Sequence, residues 1–131
     1  MVSSPAPSRA ARVLVAEDDD DTLGLLSRWL IRRGYGVIAA TNGNDALRLV
    51  HAERPDIIIL DWVMPGDQGH EVCRKIKADP ETAEIPVVML TAKSHEDDVS
   101  TGFRVGADEY VTKPFDLAEL ENLMRRVLRV A

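Results

Sequence analysis

Pro55-Asp56-Ile57-Ile58-Ile59-Leu60-Asp61 is the stretch on which the fold turns. A Pro-Asp pair opens it, four apolar residues follow without a break, and an acid closes it. The run is too short for a stable helix and three of its members are β-branched, so it reads as a strand. It does not alternate apolar with polar residues. Continuous apolarity marks a strand covered on both faces, as in a parallel sheet flanked by helices. Four further runs share the pattern. Val13-Leu14-Val15-Ala16 ends abruptly in Glu17-Asp18-Asp19, and Val37-Ile38-Ala39-Ala40 follows Gly34-Tyr35-Gly36. Val87-Val88-Met89-Leu90 follows Pro86, and a weaker run, Tyr110-Val111-Thr112, follows Gly106-Ala107-Asp108.

Helical patterns lie between these strands. Asp21 or Thr22 is placed to cap a helix carrying Leu23, Leu26 and Leu30 on one face, with Gly34 ending it. Asn44 or Asn42 is placed to cap the next, with Ala46, Leu47 and Val50 inward. The third is predicted from about Gln68 to Ala78, with Val72, Cys73 and Ile76 inward. The fourth is predicted from about His95 to Val105 and is interrupted by Gly102. Asp116 opens the fifth, where Leu117, Leu120, Leu123, Met124, Val127 and Leu128 fall at helical spacing and Arg125, Arg126 and Arg129 complement the dipole. Five strands alternating with five helices predict right-handed βαβ units in a doubly wound α/β fold. Residues 1–11, small, polar and Pro-containing, are expected to form a mobile N-terminal arm before a single domain over 12–131. No repeat, low-complexity tract or interdomain linker is visible. The expectation is a chain without an appended output domain, either a stand-alone protein or a segment of a longer one.

Composition narrows the function. The 131 residues include 16 basic and 22 acidic side chains, a net charge of −6. With 45% hydrophobic and 29% charged residues the chain reads as an ordinary soluble globular domain, neither disordered nor fibrous. Binding to nucleic acid or anionic membrane needs clustered Lys and Arg, so neither is expected. No apolar run reaches the length of a membrane span, and residues 1–9 lack the hydrophobic core of a secretory signal. Cys73 is the only cysteine, which excludes an intrachain disulfide and a Cys-based zinc site and points to a cytoplasmic protein. Five of the 22 acids are consecutive, Glu17 to Asp21, so the acidity is concentrated behind the first strand.

In open α/β sheets, sites form beyond the carboxyl ends of the strands. Here those ends deliver Glu17 and Asp18, Asp61, Thr91 and Lys113 from four separate segments. Each alone has an ordinary role: Asp19 to Asp21 as a helix cap, Asp61 or Thr91 in a turn, Lys113-Pro114 as a surface turn. Together they suggest more. Clustered carboxylates repel one another unless a cation sits among them, and an all-oxygen set with carboxylates suits Mg²⁺. Lys113 supplies a second positive charge and Thr91 a hydroxyl donor. Such a group fits phosphoryl transfer onto a carboxylate, with the charge on the moving phosphoryl oxygens neutralised by cations.

Glu17-Asp18-Asp19, Asp61-Trp62-Val63-Met64-Pro65-Gly66, Thr91-Ala92 and Lys113-Pro114-Phe115 resemble the receiver domain of two-component response regulators. The resemblance covers about residues 12 to 129. Thr91 stands 30 residues after Asp61 and Lys113 stands 22 after Thr91, as in the family's single-domain chemotaxis regulator. It implies a flavodoxin-like sheet of order 2-1-3-4-5, and an activity limited to the chain's own phosphorylation and dephosphorylation. Asp61 would be the phosphoacceptor. Asp18 would bind Mg²⁺ directly and Glu17 through water, with Asp61 and the Val63 backbone carbonyl completing the protein ligands. Lys113 would pair with Asp61 and then with the phosphoryl group. Thr91 and Tyr110 would be the switch residues, rearranging the face formed by the fourth helix, fifth strand and fifth helix. The implied partners are a sensor histidine kinase or histidine phosphotransfer protein upstream, and a protein target or second copy downstream. A cis Lys113–Pro114 bond is also implied.

Departures from the family are few. Met64-Pro65-Gly66-Asp67-Gln68-Gly69 stands where Met-Pro-Gly-Met-Asp-Gly is common, and Glu17 where Asp is commoner. Val63 and Lys93 occupy positions that tune self-dephosphorylation; an apolar Val63 cannot guide water, so a phosphoryl group outlasting that of the fastest chemotaxis-type regulators is expected. Trp62 reads as a partly exposed packing residue or a fluorescent reporter of the site, and Cys73 as a small buried hydrophobe. His51, His70 and His95 share no metal spacing. Three other functions compete. An aspartyl-nucleophile phosphatase needs a second Asp two residues after the first, where Val63 stands. A nucleotide or flavin binder lacks its GxGxxG or GxxxxGK[ST] loop. A receiver-like module that no longer takes phosphate is disfavoured by the complete set Glu17, Asp18, Asp61, Thr91 and Lys113.

Overall fold

The computed structural model describes residues 10–64, 69–92 and 106–129. In chain order these form β1 (Arg12–Ala16), α1 (Asp20–Arg32), β2 (Gly36–Ala40), α2 (Gly43–Glu53), β3 (Ile57–Asp61), α3 (Gly69–Ala78), β4 (Val87–Ala92), β5 (Glu109–Lys113) and α4 (Leu117–Arg129). The strands make one five-stranded sheet, parallel throughout, in the order β2-β1-β3-β4-β5. Sheet order and doubly wound form are as expected. The expected helix count is corrected: four helices are present among the described residues, not five. The segment expected to form the fourth helix, from about His95 to Val105, lies outside the described residues. It also carried the weakest helical pattern, and the last predicted helix is α4.

Two cores explain why the strand sequences are apolar without alternation. Val13, Val15, Ile57, Ile59, Val88 and Leu90 pack with Leu26 and Leu30 of α1 and Leu120 and Met124 of α4. Their strand neighbours Leu14, Ala16, Ile58, Leu60, Val87 and Met89 turn to the other face, against Ala46 and Val50 of α2 and Val72, Cys73 and Ile76 of α3. Successive side chains on a strand point to opposite faces, so burial on both faces demands an apolar residue at each position. Full burial of one such side chain is worth about 1.5–3 kcal/mol, which makes the central strands the stable frame.

Helix ends are set by local chemistry. The α1 cap is Asp19, not Asp21 or Thr22, because its carboxylate accepts from the Thr22 backbone N–H at 3.0 Å. Gly34, with φ of 95°, lets the chain turn out of α1 while the Tyr35 N–H reaches the Leu30 carbonyl at 3.0 Å. Asn42 caps α2 by accepting from the Asp45 N–H at 2.8 Å. The Asp116 carboxylate accepts from the Ala118 N–H at 2.8 Å at the start of α4. The predicted start of α3 at Gln68 falls outside the described residues, and the helix runs from Gly69. The expected arm falls largely on residues outside those described; Ala11 accepts from the Gly36 N–H at 3.0 Å, just ahead of β1. Among the described residues no helix is long and apolar enough to cross a membrane.

Candidate functional site

β3 and β4 each run past their apolar residues, and that extension sets the site. Asp61 is still in register, opposite Leu90, and the Trp62 N–H goes on to donate to the Leu90 carbonyl at 2.9 Å. Thr91 lies one residue beyond Leu90, opposite Thr112 of β5, and Ala92 is opposite Lys113. Both polar residues are therefore held by the sheet rather than by a loose turn. Asp61 is 7% exposed and Thr91 2%. Glu17, the first residue after β1, is buried as well, and its N–H donates to the Ala40 carbonyl at 3.0 Å. Asp18 is exposed at the rim.

Carboxylate oxygens of Glu17, Asp18 and Asp61 all lie within 4.8 Å of one another. The Lys113 ammonium reaches into this group, 3.1 Å from Glu17 Oε1 and 3.2 Å from Asp61 Oδ1. The Asp19 N–H donates to Glu17 Oε2 at 3.1 Å. A cleft of about 300 Å³ opens over them, bordered by Trp62 and by the half-exposed Val63.

The electrostatics show too much negative charge for one lysine. Burial, first of all, and then the hydrogen bond and repulsion from Asp61 push the Glu17 carboxyl above its ordinary pKa, against the Asp19 N–H and Lys113. Burial works against the charge on Lys113, yet Asp61 and Glu17 outweigh it and hold its pKa above the usual lysine value. Among the described residues, the three clustered carboxylates share one ammonium, which reaches Glu17 and Asp61, and such a set of hard oxygen donors leaves negative charge to be balanced. That composition fits a divalent cation such as Mg²⁺.

Tyr110 lies near the start of β5, ahead of Lys113 and opposite Met89, and its ring packs 6.4 Å from Trp62. Burial raises its phenol pKa to about 12. Thr91 and Tyr110 do not line the acidic cleft; Thr91 follows Leu90, the strand partner of Asp61, and Tyr110 shares β5 with Lys113. The Lys113–Pro114 bond is cis. Lys93 and residues 65–68 lie outside the described residues. Trp62 is 5% exposed, so its reading as a partly exposed residue is corrected. The cause is the start of α3. The Gly69 N–H donates to the Trp62 carbonyl at 2.8 Å, and the His70 ring stacks on the indole at 5.0 Å between centroids. The sequence held no signal for this contact, since it forms across the intervening 65–68 segment. Cys73 is buried as expected, and burial carries its thiol pKa up to about 12. His51 Nε2 sits 2.8 Å from Asp79, with no role at the site.

Comparison with known proteins places this geometry. The chain belongs to the response regulator receiver domain family, whose model matches residues 13–125. It is similar to the receiver domain of a signal transduction histidine kinase from Syntrophus aciditrophicus, at 34% identity and a TM-score of 0.88 over 93% of this chain and 92% of that one. It is also similar to chemotaxis response regulator CheY4 of Vibrio cholerae, at 30% identity and a TM-score of 0.84 over 90% and 98%. The receiver domain of sensor histidine kinase PA1611 from Pseudomonas aeruginosa PAO1, whose structure has a magnesium ion coordinated in the active site cleft, matches at 28% identity and a TM-score of 0.84 over 91% and 98%. The chain is thus a phosphoacceptor receiver domain of two-component signalling. Such domains catalyse their own phosphorylation and dephosphorylation rather than the turnover of an external substrate.

Proposed function

We propose that Asp61 is the phosphoacceptor of a two-component phosphorelay. Its carboxylate oxygen attacks the phosphorus of a phosphohistidine, carried by a sensor kinase or a phosphotransfer protein. The bond from phosphorus to the imidazole nitrogen breaks, and the electron pair leaves with the ring. The observation that carries this reading is the Lys113 ammonium 3.2 Å from Asp61 and 3.1 Å from Glu17, both of them buried carboxylates. Lys113 pairs with the attacking carboxylate and is placed to neutralise charge on the transferred group. Glu17, Asp18, Asp61 and the Val63 backbone carbonyl would hold Mg²⁺, which when bound supplies positive charge opposite the phosphoryl oxygens.

Thr91 and Tyr110 form the switch in this reading. Thr91, buried behind Asp61, turns its hydroxyl to a phosphoryl oxygen, and Tyr110 follows it inward. The output face would combine β5 and α4 with the predicted fourth helix at 95–105, which lies outside the described residues. A target protein or a second copy of the chain would read that face. The receiver is taken to span 12–131. The test is intact mass after incubation with Mg²⁺ and acetyl phosphate. One added phosphate, removed by hydroxylamine and lost in Asp61→Asn, is expected; label that survives in Asp61→Asn overturns the assignment.

A further inference from the structure

We propose that His70 is a positioning residue for Asp61, acting through Trp62. The proposal rests on the reading of Asp61 as phosphoacceptor and adds a residue that no motif of the chain singles out. The Asp61–Trp62 segment leaves the sheet and is held from two directions. On the sheet side the Trp62 N–H donates to the Leu90 carbonyl at 2.9 Å. On the helix side the Gly69 N–H donates to the Trp62 carbonyl at 2.8 Å. The first residue of α3 sits so close that a Cβ on Gly69 would lie 2.1 Å from the Asp61 carbonyl oxygen and 2.9 Å from Trp62 Cα. The next residue, His70, lays its ring on the indole, 5.0 Å between centroids and 27° between planes. That stack is a side-chain hold on Trp62 from α3, whose Val72, Cys73 and Ile76 share its core cluster. Tyr110, tilted by 44° at 6.4 Å, is a second ring against the same indole.

Hydrogen bonding does not explain why a histidine stands there. Its Nδ1 is shielded from water and has no partner among the described residues, and its Nε2 is 3.9 Å from Glu71. A buried polar atom without a partner costs stability. What the ring makes in return is the planar stack, which fixes the indole next to the acceptor carboxylate. A phosphoryl acceptor must meet the phosphorus in line, and misplacement by an ångström costs on the order of a hundredfold in rate. The ring is thus a brace: it sets the angle of the Asp61–Trp62 peptide and with it the aim of Asp61.

The experiment compares His70→Ala and His70→Phe in the full chain, with Trp29→Phe added so that Trp62 alone fluoresces. Phosphorylation by acetyl phosphate with saturating Mg²⁺ is followed over a range of donor concentrations. His70→Ala is expected to lower the limiting rate about tenfold, with the half-saturating donor concentration unchanged and the Trp62 emission shifted to longer wavelength. His70→Phe keeps a planar ring and removes the unpartnered nitrogen, so it should recover rate and emission while melting no lower than the parent. A parental limiting rate in His70→Ala, despite a shifted emission, overturns the proposal. So does a His70→Phe chain that melts like the parent but is as slow as His70→Ala, or a loss seen only as a raised half-saturating concentration. Asp61→Asn, run alongside, separates the two claims. Label surviving there overturns the acceptor assignment; label lost there with a parental rate in His70→Ala overturns the brace alone.

Discussion

Replacing Lys113 by Met removes one cation from between two buried acids and leaves the aliphatic part of the side chain in place. The ammonium lies 3.1 Å from Glu17 and 3.2 Å from Asp61, and the lysine side chain is 31% exposed. Breaking a fully buried pair costs roughly 3–5 kcal/mol, and an exposed pair about 0–1 kcal/mol. The carboxylates are buried and the lysine is partly screened, so a loss of about 2 kcal/mol at pH 8 in EDTA is expected, between those limits. The loss should depend on pH in a stated direction. Glu17 already holds its proton more tightly in the fold than at its ordinary pKa of 4.5. Without Lys113 it holds it more tightly still. A carboxyl whose folded pKa is raised binds more protons folded than unfolded, so stability falls as pH rises from 4.5 through the raised value. The deficit of Lys113→Met is therefore expected to be larger at pH 8 than at pH 5, and Mg²⁺ at pH 8 should recover part of it. Urea denaturation of both chains at the two pH values, with EDTA and then with Mg²⁺, measures this. A deficit equal at pH 5 and pH 8, or none at pH 8 in EDTA, refutes the claim that Lys113 holds together an over-charged acid cluster.

Other parts of the chain give sharper, smaller tests. His51 faces acceptors at both ring nitrogens, Asp79 at 2.8 Å and the Leu47 carbonyl at 3.0 Å, and both raise its pKa, Asp79 most. NMR titration should show it above 6.5, falling back in Asp79→Asn; its stabilisation is complete below 6.5 and lost as pH rises through the raised value. Cys73, its thiol pushed up to about 12 by burial, should resist iodoacetamide at pH 8 until the chain is unfolded; rapid labelling of the native protein would contradict its burial. Gly69→Ala puts a Cβ 2.1 Å from the Asp61 carbonyl oxygen, so α3 must retreat. Thermal or urea melting should show a loss of about 1–3 kcal/mol, as overpacking typically costs, and an unchanged stability would refute the close approach.

The frame of the fold was legible because two cores leave no choice at the central strands. Ile57 to Leu60 are apolar since Ile57 and Ile59 face one helical layer and Ile58 and Leu60 the other. Strand ends were less legible. Hydrogen-bonded register carries β3 through Asp61 and β4 through Thr91, and polarity patterns do not record register. Among four consecutive aspartates, chemistry alone could not choose the cap of α1; the approach of Asp19 to the Thr22 N–H decided it. The acidic cleft was readable as a set because strand ends of one parallel sheet converge by topology. The burial of Trp62 and its stack with His70 were not, since they depend on how α3 docks after an intervening segment.

The central claim is that Asp61, and no neighbouring acid, receives the phosphoryl group. Reductive trapping tests it most directly: after incubation with Mg²⁺ and acetyl phosphate, borohydride converts an aspartyl phosphate to homoserine, and peptide mass spectrometry reads the position. Homoserine at position 61 alone, dependent on Mg²⁺, is the expected result. Homoserine at Asp18 or elsewhere, or none in a folded chain with Mg²⁺ present, would contradict the account.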